Sequence, residues 1–202
     1  MNLKNYETIT IEREYASGGT EIGKALAERL NIPFYGQEVL EIVSEKCGYA
    51  IDAMRVLEET ISASTLYNIV INTQFYNQRL DGIPLNYKLF SEVRKTIKEI
   101  AYSGPSVIVG RCANYILRDK KDCLNTFIYA DKNARIERAI NEYGISNKNV
   151  ESTLKKADKR RSNYYKSYSS MNWNDTKGYH LCLNSGKLGI EKCVDIIYKL
   201  VQ

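Results

Sequence analysis

Thr8-Ile9-Thr10-Ile11-Glu12-Arg13-Glu14-Tyr15-Ala16-Ser17-Gly18-Gly19-Thr20 is the stretch on which the fold turns. Its first four residues are β-branched throughout and predict a strand. Gly18-Gly19 marks a loop. Ile22, Leu26 and Leu30 then recur at fourfold spacing, with Ala25 and Ala27 between them, which predicts a helix with one buried face through Arg29. A strand that runs through a glycine-containing loop into a helix gathers free backbone N–H groups and the positive end of the helix dipole at one point, a ready site for an anion. The same residues would also serve as an unliganded tight turn, which glycine permits at little steric cost.

Two frames compete for the phosphate loop. Gly18-Gly19-Thr20-Glu21-Ile22-Gly23-Lys24 matches Gly-x-x-x-x-Gly-Lys by letter, but Ala25 follows where Ser or Thr should bind magnesium. It would also put Ile22 inside the loop, although Ile22 is in phase with Leu26 and Leu30. The frame from Arg13 to Thr20 starts directly after the strand and is preferred. There Gly18 takes the place of the motif's second glycine, Thr20 that of the magnesium-binding hydroxyl, Arg13 that of the first glycine and Gly19 that of the lysine. That lysine ordinarily places positive charge on the β- and γ-phosphates. Arg13 is the candidate to supply the charge from the other end of the loop.

Outward from the loop, strand and helix signals alternate. Pro33-Phe34-Tyr35 reads as a short strand, and from Gln37 to about Leu80 three helical patterns follow: Val39, Leu40 and Val43; Met54 and Leu57; Leu66, Ile69 and Val70. After a turn at Asp81-Gly82-Ile83-Pro84, a helix carrying Leu89, Val93, Ile97 and Ile100 leads to the strand Ser106-Val107-Ile108-Val109-Gly110. Its wholly apolar interior suits a parallel sheet covered on both faces. A strand over Leu124 to Ala130, a helix over about Asn133 to Tyr143, a basic Tyr-rich helix over about Asn149 to Tyr168, a strand over Tyr179 to Asn184 and a closing helix through Ile190, Val194, Ile197 and Leu200 complete the order. The expectation is a doubly wound α/β fold.

The 202 residues suffice for one domain with an appendage. Neither a membrane span nor an apolar signal core stands out, so a cytoplasmic protein is expected. Five cysteines without a Cys-x-x-Cys pair, and His180 as the sole histidine, argue against a zinc site, a disulfide framework or a Ser-His-Asp mechanism. Core packing is the simpler use for the thiols. The net charge is +5, with the positive residues clustered between Lys155 and Lys166, which favours a local anion site over a broad nucleic-acid face.

With these residues in place, the chain resembles the cytidylate kinase-like family, a divergent branch of the nucleoside monophosphate kinases with the P-loop NTPase fold. The resemblance covers nearly the whole chain. It is carried by Ile9 to Gly19, Ile32-Pro33-Phe34-Tyr35, Val107-Ile108-Val109-Gly110-Arg111-Cys112-Ala113-Asn114, Asp158-Lys159-Arg160-Arg161 with Tyr164-Tyr165, and Leu183-Asn184-Ser185 with Leu188-Gly189. It implies a five-stranded parallel sheet with helices on both faces, a helical monophosphate-binding insertion over residues 37–80, and a basic lid over residues 149–175. It further implies ATP and Mg²⁺ as cofactors. Departures from the family pattern are Ala16 for a glycine, Gly36 and His180 where acidic residues are usual, and Asn114 for an aspartate.

The resemblance also suggests roles. Arg13, Arg111, Asp158, Arg160 and Arg161 are the candidate catalytic residues. Ser17, Gly18, Gly19, Thr20, Arg135 and Arg138 are the candidates for nucleotide binding, and Thr20 for the metal. Each has a plainer use: Arg111 as a surface residue, Arg138 as a helix-surface partner of Glu142, Lys155 to Arg161 as a solvated face. Tyr164, Tyr165, Tyr168 and Trp173 fit base stacking, and fit lid packing better. The leading expectation is an ATP-dependent nucleotide kinase acting on a pyrimidine nucleoside monophosphate. A nucleotide-binding module with the same fold and no chemistry, and more distantly a basic nucleic-acid binder, are the alternatives. A small-molecule nucleotide is the expected partner, membranes are not, and a homo-oligomer is left open.

Overall fold

In the computed structural model, the described residues are 6–54 and 85–202. β1 (Thr8–Arg13) is followed by α1 (Gly19–Leu30), β2 (Phe34–Tyr35), α2 (Glu38–Cys47), α3 (Leu85–Ser103), β3 (Ser106–Val109), α4 (Ala113–Ile116), β4 (Cys123–Tyr129), α5 (Lys132–Asn141), α6 (Val150–Ser169), β5 (Leu181–Asn184), α7 (Ser185–Leu188) and α8 (Ile190–Val201). The helical patterns through Leu57, Leu66, Ile69 and Val70, the turn at 81–84, and most of the expected insertion lie outside the described residues. Among the described residues no helix is long and apolar enough to cross a membrane.

All strand pairs are parallel, in the order β2-β3-β1-β4-β5. β1 is therefore central, and its alternation assigns residues to two cores. Ile9 and Ile11 join Ile22 and Leu26 of α1, Val107 and Val109 of β3, and Val194 and Ile197 of α8 on one face. On the other face Ile108 packs with Val39, Val43, Val93, Ile97 and Ile116 from α2, α3 and α4. Gly23 lets α1 lie close on the sheet, since a Cβ there would stand 2.9 Å from Val109 Cγ2. Ile22 is fully buried and Lys24 exposed, as the preferred loop frame requires.

Three boundaries differ from the expected ones. β1 continues through Glu12 and Arg13, so Arg13 is the last residue of the strand rather than the first of a loop. The last strand begins at Leu181, because Tyr179 closes a 3₁₀ turn over Thr176–Gly178. The short helix α7, capped by the Asn184 side chain, which accepts from the Gly186 and Lys187 amides, is too brief to show a period in the sequence. Cys112, Cys123 and Cys193 are buried and unpaired by disulfide, in keeping with a packing role.

Candidate phosphate-binding site

The chain leaves the carboxyl edge of β1 in a short loop that turns back into α1. Glu14 N–H donates to Ile128 O at 3.0 Å, and Ser17 N–H to Glu14 O at 3.3 Å. The Ser17 hydroxyl faces inward, 2.9 Å from Glu14 O and 3.1 Å from Ile128 O, and so anchors the loop to β4. Gly18, at φ 78 and ψ 11, is the residue before α1, and no side chain caps the helix. The first-turn amides at Gly19 and Thr20 are therefore left without a side-chain acceptor from the cap, the arrangement an anion would use.

Ala16 also has positive φ, 58, and its methyl packs with Ala139, Val150 and Leu154, which offsets a left-handed cost of about 1 kcal/mol. Gly18 has no such compensation. A Cβ there would meet Ile190 Cδ1 at 2.3 Å as well as forcing an alanine into the left-handed region. Gly18→Ala is expected to destabilise by about 2 kcal/mol and lower Tm by about 4–8 °C in a thermal melt.

Arg13 fills the room that the missing lysine would need. A Cβ on Gly19 would lie 2.5 Å from Arg13 Cβ and 2.9 Å from its Cγ, so the arginine stem crosses directly over Gly19. Its guanidinium continues to the end of β3, where Nη1 stands 2.3 Å from the position a Gly110 Cβ would take. Burial, followed by the positive charges of Arg161 and Arg111, pushes Arg13 down to about 9, with Glu12 opposing. Its Nε is buried with no hydrogen-bond partner. Cations held together in this way call for an anion between them.

Two other arginines reach the same place from distant parts of the chain. Arg161, on α6, donates from Nη1 to Arg13 O at 2.7 Å and stands 5.7 Å from the centre of the Tyr15 ring. Burial lowers its pKa, against the nearby charges of Asp158 and Glu12. Arg111 follows β3 in a run of left-handed residues, Gly110 at φ 82, Arg111 at φ 55 and Cys112 at φ 58, and its Nη1 donates to Gly36 O at 2.5 Å. Consecutive non-glycine residues in that region hold strain of the kind that persists where the surroundings fix a side chain's direction. Arg160, by contrast, is exposed, like Lys155, Lys156 and Lys159.

Asp158, Arg135 and Arg138 bind the loop itself. Asp158 Oδ1 accepts from Tyr15 N–H at 2.7 Å, and its Oδ2 takes Arg135 Nη2. Arg135 Nε donates to Tyr15 O at 2.8 Å while Nη1 lies 3.2 Å from Glu14 Oε2, which also accepts from the Ala130 amide at 3.2 Å. Burial raises Glu14 above the usual carboxylate range, and Arg135 acts against that. Arg138 does both things open to it: Nη1 donates to Ala16 O at 3.2 Å, and Nε is 3.4 Å from Glu142 Oε1. Tyr165 and Trp173 are buried, and Tyr168 stacks on Phe90 at 3.7 Å, so this aromatic group packs α6 against α3 and β4.

Sequence reasoning missed Glu12 as part of the site, and took Glu14 and Tyr15 as loop members without a role for either side chain. The one available signal was that an arginine at the loop's start coincides with a glycine where lysine is usual. That pairing is a steric exchange.

The family described as cytidylate kinase-like matches residues 8–187. Among solved structures, an uncharacterized protein from Eubacterium ventriosum ATCC 27560 is 27% identical, with a TM-score of 0.71 over 96% of this chain and 97% of that one. Shikimate kinase from Bacteroides thetaiotaomicron superposes with a TM-score of 0.52 at 15% identity, over 96% of this chain and 97% of its own. A gluconokinase from Sinorhizobium meliloti 1021 gives a TM-score of 0.50 at 12% identity, over 98% of this chain and 90% of its own. The last two bear on the fold alone. Among curated proteins, none matches the chain.

Proposed function

The chain belongs to the cytidylate kinase-like family, and from that premise we propose that it is an ATP-dependent nucleotide kinase that moves the γ-phosphoryl group onto a pyrimidine nucleoside monophosphate. The observation that carries the reading is the meeting of Arg13, Arg111 and Arg161 beside the uncapped start of α1. Phosphoryl transfer asks little covalent chemistry of a protein, because the acceptor's own oxygen attacks; positioning and positive charge do the rest. The Gly18 to Thr20 amides would hold the triphosphate. Arg13 would stand in for the loop lysine. Arg111, at the carboxyl edge of the sheet where ligands of open α/β folds bind, would face the acceptor phosphate, and Arg161 would bring charge to the transferring group as α6 closes.

In this assignment residues 149–175 are the lid and residues 37–80 the acceptor-binding insertion. Asp158 and Arg135 fasten the lid to the loop backbone at Tyr15, which makes them positioning residues for the loop. Among the described residues no group of three His, Cys, Asp or Glu side chains could hold a metal ion. The residues present fit magnesium as an ion borne by the nucleotide phosphates, with the Thr20 hydroxyl as its protein ligand. There it would neutralise developing charge on the phosphate oxygens.

A coupled ADP-release assay with ATP and Mg²⁺ against CMP, dCMP, UMP and AMP tests the proposal. Shikimate, bound by a similarly folded kinase from Acinetobacter baumannii, serves as a contrasting acceptor. Turnover with CMP or dCMP above the others is expected. ATP binding by calorimetry with no turnover on any acceptor would instead favour a binding module, a reading supported by Gly19 in place of lysine.

A further inference from the structure

One carboxylate at the site has no part in the mechanism above. Glu12 precedes Arg13 but, by strand alternation, points to the opposite face of the sheet. It is 4% exposed, and among the described residues it makes no ion pair. Its oxygens are taken by two neutral donors. Oε1 accepts from the Cys112 amide at 3.2 Å, and Oε2 from the Trp173 indole at 3.0 Å.

Burying a carboxylate against neutral donors is costly, and a fold that needed only packing there would use an apolar side chain. The two donors are informative. Cys112 is the second of the left-handed residues after Gly110, so its amide fixes the turn that aims Arg111. Trp173 lies just beyond α6, the helix that carries Arg161, and is locked in place by Tyr179, whose hydroxyl donates to Trp173 O at 2.6 Å, and by the Phe127 ring at 5.3 Å. Glu12 also acts through charge on both Arg13 and Arg161.

We propose that Glu12 is a positioning residue that couples the closed lid to the Arg111 turn, by holding the Trp173 indole and the Cys112 amide on the two oxygens of one carboxylate. A movement of the lid that drew Trp173 out of this packing would leave the turn only half of this support. This rests on the kinase reading for its consequence, though the coupling itself is measurable without turnover.

Glutamine cannot replace this carboxylate, because its NH₂ would face one of two N–H donors. Trp173 is the only tryptophan, so its emission reports the latch directly. The experiment compares wild type, Glu12→Gln, Trp173→Phe and the double variant, each first shown to be folded by circular dichroism. The measurements are acrylamide quenching where Trp173 remains, calorimetric Kd for inorganic tripolyphosphate, and turnover.

Glu12→Gln is expected to raise quenching about threefold and to weaken tripolyphosphate binding about tenfold. Turnover should fall about 10²-fold, while the KM for ATP rises by no more than the tripolyphosphate Kd does. Trp173→Phe, which keeps the ring and the charge, should move binding and turnover in the same direction. The double variant should be within about twofold of Glu12→Gln, since both remove one bond.

A carboxylate that acted only as a negative charge would give the opposite result, because its loss would tighten binding of an anion among arginines. Tighter tripolyphosphate binding, unchanged quenching, or independent and multiplying effects of the two substitutions would overturn the proposal. Should wild type turn over no acceptor, the kinase reading fails while quenching and the tripolyphosphate cycle still decide on Glu12. If Glu12→Gln does not fold, Trp173→Phe decides: unchanged tripolyphosphate affinity would overturn the coupling.

Discussion

Arg135→Ala is expected to lower the unfolding free energy by about 3 kcal/mol and Tm by about 6–12 °C. The guanidinium, with a side chain only 9% exposed, faces Glu14 and Asp158, whose side chains are 27% and 23% exposed. Removing it leaves two carboxylates facing each other and the Tyr15 carbonyl without its donor. The partial exposure of both acids puts the effect near the lower end for a broken buried pair. Urea denaturation checks it, with the midpoint shifting and the m-value unchanged. Arg135→Lys should recover less than half, since an ammonium cannot serve three acceptors in one plane. A variant that melts as wild type but loses ATP affinity would mean that Arg135 serves the nucleotide and not the loop.

The second large effect concerns turnover. Arg13→Met keeps an apolar stem over Gly19 and removes the charge, so turnover should fall about 10³-fold. Stability should hold or rise, because burial and the neighbouring Arg161 and Arg111 disfavour the Arg13 charge while no anion is bound. Restoring the usual lysine alone is not a repair. Gly19→Lys drives a Cβ to 2.5 Å from Arg13 Cβ, near the backbone where neither atom can swing away, and should cost about 2–3 kcal/mol. Arg13→Gly combined with Gly19→Lys removes the two closest contacts, leaving Ile128 Cβ at 3.2 Å, and returns a cation to the loop; it should regain most of the stability and at least part of the turnover. If the double variant is no better than Gly19→Lys alone, the steric exchange is not the reason this loop lacks lysine.

Much of the fold was legible because its signals are local. The apolar run Val107 to Val109 and the fourfold spacing of Ile22, Leu26 and Leu30 report burial directly, and all but Leu30 are fully buried. Where local signals mislead, a distant partner explains it. Arg13 reads as the first residue of the loop, yet the strand continues through Glu12 and Arg13 because Cys112 and Trp173 satisfy the carboxylate and Gly19 makes room for the arginine. Arg138 reads as a nucleotide-binding candidate with Glu142 as its plainer partner; the structure shows that pairing, and also a bond to Ala16 O that depends on a loop far away in sequence. Asp158 and Arg135 are suggested as site residues by the family resemblance; their shared hold on Tyr15 is visible only once α5 and α6 pack together.

The sequence by itself determined the alternation of strands and helices, the position of the glycine loop and the frame in which it is read, since periodicity and turn chemistry act within a few residues. Only the tertiary structure decided which charges meet. Arg161 reaches Arg13 across 148 positions of sequence, and Trp173 reaches Glu12 across 161. A parallel sheet delivers every crossover to the same carboxyl edge, and burial there leaves each charge to be settled by whatever neighbour the packing supplies.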